Sequence, residues 1–357
     1  MDAAGLRVGG SATGRVKGVD EMNPELGDPS STALLERAAG ALLISACGDA
    51  LGAGYEFDPP ERIPAEVGMV GGGLFGWEPG EWTDDTSMAF VIAEVAASGV
   101  DLRDEQAQDR IAAGWYAWMR QAKDVGAQTR TVLTRAASGS GVPTAEALRR
   151  QAAEHHKRAG MSGGNGSLMR TAPVALAYLE DPEGLVEAAT QISALTHFDP
   201  EAGQACVLQC LAIRHAVLTG TLDLRVGLEY LDDGAAALWA ARIDEAEQRT
   251  PQTYRRNGWV VEALLGAWSA IACTTVPDDE PDDGSHLRRG LEAAVKGGND
   301  TDTVAAIAGA LLGAKYGASA VPDQWRLILH GWPGKRADDL IAMALRTQSD
   351  NEPTRGN

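Results

Sequence analysis

Two short runs of this 357-residue sequence concentrate oxygen ligands where helices should begin. The first, Trp82-Thr83-Asp84-Asp85-Thr86-Ser87-Met88, stands immediately before an apolar helical stretch. The second, Asn299-Asp300-Thr301-Asp302-Thr303-Val304, repeats the pattern near the other end of the chain. Either run alone reads as an ordinary helix start, with Thr83 as N-cap and acids in the first turn facing the positive end of the dipole. Two such runs open another reading. Hard divalent cations want several rigidly held carboxylate and hydroxyl oxygens, and paired helix N-termini can present them across one cleft. Adjacent helical side chains point about 100° apart, so Asp84 and Asp85 do not both face one ion but can flank a pair. Ligands that are all oxygen select Mg²⁺ or Mn²⁺ over zinc, which would bring His or Cys. Spacing and chemistry leave helix caps and a two-metal site both standing.

Three further segments carry candidate chemistry. Gly163-Gly164-Asn165-Gly166-Ser167-Leu168-Met169-Arg170 reads as a loop opening a helix, where successive backbone N–H groups and the helix dipole suit a phosphate. It is no Walker loop, since Gly-Lys-Ser/Thr is absent, and a tight turn with Ser167 as N-cap explains it equally well. Arg170 is expected to pair with a core carboxylate as readily as with a ligand. In Gly48-Asp49-Ala50-Leu51-Gly52-Ala53-Gly54-Tyr55-Glu56-Phe57 a helix runs into a glycine-punctuated loop, and Glu56 reads as either a mobile acid or base or a solvated loop acid. In Thr196-His197-Phe198-Asp199-Pro200, His197 suits a ligand phosphate or the C-terminus of the preceding helix. His155, His156, His215, His286 and His330 read as structural or exposed.

The elements that must hold these groups read as helices. Aromatic residues make up 5% of the chain while Ala and Gly abound, which favours helices packed through small side chains over a Val- and Thr-rich sheet. Helical periodicity covers 33–53, 83–97, 105–123, 145–157, 167–179, 184–195, 200–218, 259–273, 287–296 and 302–316, and strands are scarce. In the last stretch Val304, Ile307, Ala308, Leu311 and Leu312 form an apolar stripe, with Gly309 and Gly313 admitting a neighbouring helix, as in a central helix. Residues 1–31 and 348–357 read as flexible ends around a single domain spanning 32–347. Cys47, Cys206, Cys210 and Cys273 read as buried free thiols, without a metal or disulfide pattern. The 31 Lys and Arg stand against 50 Asp and Glu, a net charge of -19, which argues against nucleic acid and anionic membranes as partners. The chain shows no targeting start and no run near the roughly 18 apolar residues of a membrane span, so a cytoplasmic protein is expected.

In order along the chain, 48–56 (GDALGAGYE), 81–88 (EWTDDTSM), 163–170 (GGNGSLMR), 196–202 (THFDPEA) and 299–314 (NDTDTVAAIAGALLGA) closely resemble the motifs of the ADP-ribosylglycohydrolase family, which includes dinitrogenase reductase-activating glycohydrolase and the metazoan ADP-ribosyl hydrolases. The resemblance runs from about residue 33 to residue 322. It implies an all-α orthogonal multi-helix bundle with two divalent cations, Mg²⁺ or Mn²⁺, at the base of a cleft. Family metal ligands match Thr83, Asp84, Asp85, Asp300, Asp302 and Thr303. The glycine loop would bring Gly164, Asn165, Gly166, Ser167 and Met169 to the diphosphate and ribose, with His197 nearby. The implied reaction is metal-dependent hydrolysis of the glycosidic bond between ADP-ribose and a modified side chain or small molecule, releasing ADP-ribose. Asp84 or Asp302 would act as the base, and Glu56, matching a mobile-loop glutamate, would relay the proton. Trp82 before Thr83-Asp84-Asp85 resembles the arginine-directed branches more than the serine-directed one. The other reading is a non-catalytic ADP-ribose sensor or immunity module using the same cleft. Segments 126–143 and 223–256 follow no family pattern and are where substrate choice is expected to reside.

Overall fold

The computed structural model describes residues 31–138, 141–276 and 284–349; the expected flexible ends fall outside these except at their inner edges. Fourteen α-helices are described: α1 (Ser31–Gly52), α2 (Asp84–Ala96), α3 (Glu105–Met119), α4 (Ala127–Ala137), α5 (Ala145–Ala159), α6 (Ala172–Ala177), α7 (Pro182–Ala194), α8 (Pro200–Thr219), α9 (Asp233–Ala246), α10 (Val260–Ala272), α11 (Ser285–Val295), α12 (Thr301–Tyr316), α13 (Asp323–Ile328) and α14 (Ala337–Ser349). The strands among the described residues are β1 (His330–Gly331) and β2 (Lys335–Arg336), paired antiparallel. The fold is all-α, as the composition implies. No helix among the described residues is long and apolar enough to cross a membrane.

The axis of the molecule is the contact between α1 and α12. Every residue of α12 from Thr301 to Ala314 is buried, as is α1 from Ala38 onward. Glycines bring the two backbones together: a Cβ on Gly48 would stand 2.1 Å from the Ala305 carbonyl oxygen, and one on Gly309 2.3 Å from that of Ile44. At the end nearest the acidic runs, a Cβ on Gly52 would meet the Asp302 amide nitrogen at 2.4 Å. Thr301 Oγ1 donates to the Gly52 carbonyl there at 2.9 Å. Small residues in α1 thus set where the first turn of α12 lies.

Helical expectations miss α4, α9, α13 and α14. In α4, Thr129, Val132, Leu133, Ala136 and Ala137 are buried at the i, i+3, i+4, i+7, i+8 spacing of an amphipathic helix, under a polar and β-branched sequence that hides the stripe. The expected helix over 167–179 contracts to α6, preceded by a 3₁₀ turn at Asn165–Ser167. The thiols of Cys47, Cys206 and Cys210 are buried, but Cys273 is exposed, since it caps the C-terminus of α10 rather than lying inside it.

Candidate active site

At both acidic helix starts the N-cap side chain declines the capping role. Thr83 occupies the N-cap position of α2 and Asp300 that of α12, yet neither side chain bonds the helix's own amides. Asp49, reaching across from α1, caps α2 instead: its carboxylate accepts from Thr83 N at 2.9 Å, Thr86 N at 3.0 Å and Thr86 Oγ1 at 2.6 Å. Relieved of that duty, the α2 acids turn toward α12. Asp85 accepts from Thr83 Oγ1 at 3.4 Å and from Thr303 Oγ1 at 3.1 Å, so one carboxylate joins the two helix starts. Helix capping explains neither arrangement.

Around Asp302 two groups of acids meet. One carboxylate oxygen from each of Asp49, Asp85 and Asp302 lies within 4.8 Å of the others, and the same holds for Glu56, Asp300 and Asp302. Among the described residues none of these acids, nor Asp84, is in an ion pair. Burial raises the proton affinity of Asp49, Glu56, Asp84, Asp85 and Asp302, and neighbouring carboxylates add to it for all of these but Asp49: Asp85 and Asp302 are held well above the ordinary carboxylate range, Glu56 at about 9, Asp84 at about 7 and Asp49 at about 6. Asp124, half-buried opposite Glu56, is shifted upward chiefly by burial. Such a concentration of buried negative charge calls for protons or cations. The oxygen-only donors, with the hydroxyls of Thr83 and Thr303 among them, fit Mg²⁺ or Mn²⁺.

Glu56 does not hang on a free loop. Phe57 N donates to the Asn299 carbonyl at 2.6 Å and Asn299 N to that of Asp58 at 2.7 Å, which clasps the Glu56 segment to the residue before Asp300. Both clasped residues have left-handed backbones, φ 70° for Phe57 and 64° for Asn299. That conformation is tolerable for Asn but strained for Phe, and such strain persists where surrounding contacts impose it.

The glycine loop closes the opposite wall of a cleft of about 230 Å³. Gly164 bridges to Trp259, Asn165 N donates to the Gly258 carbonyl, and Val260 N to that of Gly163. Asn165 Nδ2 donates to Asp300 Oδ2 at 2.7 Å and to the Asn257 carbonyl at 2.8 Å, tying the loop to the acids. Among the residues expected to bind substrate, Gly164, Asn165, Gly166, Met169 and His197 line the cleft together with Glu56, Asp84, Asp300, Asp302 and Thr303. The Ser167 hydroxyl lies elsewhere, fully buried and accepting from Ser193 Oγ at 3.0 Å. His197 fits against the loop because Gly164 and Gly166 leave it room: a Cβ on either would come within 3.2 Å of its ring. Arg170 pairs with no carboxylate, contrary to expectation; its guanidinium lies 3.9 Å over the Trp115 ring.

Several further residues take part that no local sequence pattern marks. Asp49 and Asn257 act through partners distant in sequence. Asp124, Gln128 and Thr129 line the cleft from the segment 126–143 and its approach. No residue of 223–256 lines it, because α9 and its flanking 3₁₀ turns pack on α8 and α10 instead.

A family profile described as ADP-ribosylglycohydrolase matches residues 30–354. The chain is 27% identical over 317 residues to an ADP-ribosylarginine hydrolase of Serratia proteamaculans, covering 87% of this chain and 80% of that protein. It is 30% identical to an ADP-ribosylarginine hydrolase of Pseudomonas putida, over 82% of this chain and 73% of that one. An ADP-ribosyl-[dinitrogen reductase] glycohydrolase of Rhodospirillum rubrum is 29% identical over 81% of this chain and 89% of its own. Among solved structures, an ADP-ribosylglycohydrolase-related protein complex superimposes with a TM-score of 0.65 at 28% identity, covering 89% of this chain and 99% of that chain.

Proposed function

This chain belongs to the ADP-ribosylglycohydrolase family, and from that premise we propose that it hydrolyses the glycosidic bond between ADP-ribose and an arginine side chain, using two divalent cations, Mg²⁺ or Mn²⁺. The observation that carries the reading is the facing of two helix starts, whose acids cluster beside a glycine-lined cleft without an ion-pair partner among the described residues. The arginine linkage is supported by the relatives from Serratia proteamaculans and Pseudomonas putida, which by name act on ADP-ribosylarginine.

Thr83, Asp84, Asp85, Asp300, Asp302 and Thr303 would hold the cations, which when bound supply positive charge to polarise ribose oxygens and to acidify an attacking water. The chain's own groups divide the remaining work. Gly164 and Gly166 let substrate approach the loop backbone, Asn165 fixes Asp300, and Met169 and His197 close the wall. Glycosidic cleavage needs one group to take a proton from water and another to return one to the leaving nitrogen as the sugar passes through an oxocarbenium-like state. Asp84 or Asp302, both on the cleft, suits the first role. Glu56, on the cleft but outside the two helix starts, suits the second. The first turn of α4, with Gln128 and Thr129 on the cleft, is where substrate selection would act.

Release of free ADP-ribose from arginine- and serine-linked substrates, with Mg²⁺, Mn²⁺ or chelator, tests this directly. Release is expected from the arginine linkage, dependent on the cation and lowered about a hundredfold or more in Asp302→Ala. Full turnover by a folded Asp302→Ala protein would remove the metal-centred mechanism. Tight ADP-ribose binding without release from either substrate would point to a binding module.

A further inference from the structure

What His197 can offer a substrate depends on which ring nitrogen carries its proton. Its Nδ1 lies 2.8 Å from Thr196 Oγ1, and that hydroxyl lies 2.7 Å from Nη2 of Arg170. A guanidinium only donates, so Arg170 occupies one lone pair of the hydroxyl. Thr196 is fully buried, and its hydroxyl has no other acceptor among the described residues than His197 Nδ1. A buried hydroxyl makes the bond it can make, so its proton points at Nδ1, which must then be bare. Burial, with the Arg170 charge behind it, holds the imidazole well below its usual protonation range, so the ring is neutral and its single proton sits on Nε2. Nε2 is the atom that faces the glycine loop: a Cβ on Gly164 would stand 3.2 Å from it and one on Gly166 3.3 Å.

Arg170 is otherwise hard to account for. It is fully buried, pairs with no carboxylate, and leaves its Nε without a partner. A long apolar side chain would fill the same space against Trp115 and Met88 without the desolvation of a cation. The one short bond the guanidinium makes is to the hydroxyl that faces His197.

We propose that Arg170 and Thr196 are positioning residues that hold His197 as its Nε2–H tautomer, making it a fixed hydrogen-bond donor to a phosphate or ribose oxygen of the ADP-ribosyl group. This rests on the functional reading above for the identity of the acceptor. It assigns His197 to binding and gives it no part as a base, because the nitrogen turned to the cleft already carries its proton.

The ring-nitrogen resonances of ¹⁵N-histidine-labelled protein test the relay before any ligand is added. His197 is expected to show a bare Nδ1 and a protonated Nε2; a proton on Nδ1 overturns the proposal. Thr196→Val removes the hydroxyl at nearly constant shape, and Thr196→Ser keeps it. In a folded Thr196→Val protein the tautomer is expected to shift toward Nδ1–H, and affinity for ADP-ribose, measured calorimetrically with Mg²⁺ present, to fall about tenfold. Thr196→Ser should retain both. An unchanged tautomer and affinity in Thr196→Val would count decisively against the relay. Should the wild type bind no ADP-ribose, the functional reading falls, while the resonances still decide where the proton sits.

Discussion

At the scale of single residues, the site is built by a transfer of duties. A helix start normally uses its own first acid or hydroxyl to satisfy exposed amides. In α2 those amides are served by Asp49, which frees Thr83, Asp84 and Asp85 for other partners. Removing Asp49 should therefore damage the site through the helix. Asp49→Ala strips three acceptor contacts from buried donors and is expected to cost about 2–4 kcal/mol in urea unfolding, with faster amide exchange at Thr83 and Thr86. A loss below about 0.5 kcal/mol would mean that water or another group replaces it. The clustered acids and hydroxyls themselves are legible in the sequence, since their pairing at two helix starts is visible as strings. Asp49 and Asn257 are not. Each acts by hydrogen bonds to residues 34 and 43 positions away, which no local pattern encodes.

At the scale of elements, close approach of α1 and α12 decides whether the two acidic helix starts can meet. The stripe of Gly309 and Gly313 foretold a tight neighbour, and the partner glycines at 40, 48 and 52 lie on the face of α1 that meets α12. Pairing the two stripes took the fold, because α1 and α12 stand at opposite ends of the chain. Gly52→Ala would drive a methyl group into the backbone of Asp302, where a rigid peptide and not a flexible side-chain end must yield. The expected outcome is an overpacking cost of about 1–3 kcal/mol in thermal or chemical unfolding. Cation affinity should also weaken by calorimetry, since Asp302 moves with the strained turn. Stability lost with affinity intact would show that α12 shifts as a rigid whole. Of the helices missed in the sequence, α4 and α14 share a cause: each buries a narrow stripe, as Leu340, Met343, Ala344 and Thr347 do in α14, beneath a largely polar surface.

At the scale of the whole molecule, the acidic cluster sets how folding responds to pH. Glu56, Asp84 and Asp49 hold protons up to about 9, 7 and 6, and Asp85 and Asp302 are also raised far above the range they would have in an unfolded chain. The folded state therefore binds more protons than the unfolded one between the ordinary carboxylate range and about pH 9. Stability linked to these groups is fully present below their unfolded values and drains away as pH rises through their folded ones. The net charge of -19 works in the same direction, since every added negative charge meets an acidic protein. A divalent cation competes with protons for the same oxygens, so it should replace the lost stability most where the protons have left. In chelator, the melting temperature is expected to fall steadily from pH 6 to pH 8.5. With saturating Mg²⁺ or Mn²⁺ that fall should shrink, and the gain produced by the cation should grow with pH. Calcium, which asks for more ligands at longer distances, should restore less. A gain that is the same at pH 6 and pH 8.5 would mean that the cation binds away from the raised carboxylates. Absence of any gain would mean that the cluster carries its charge by keeping protons.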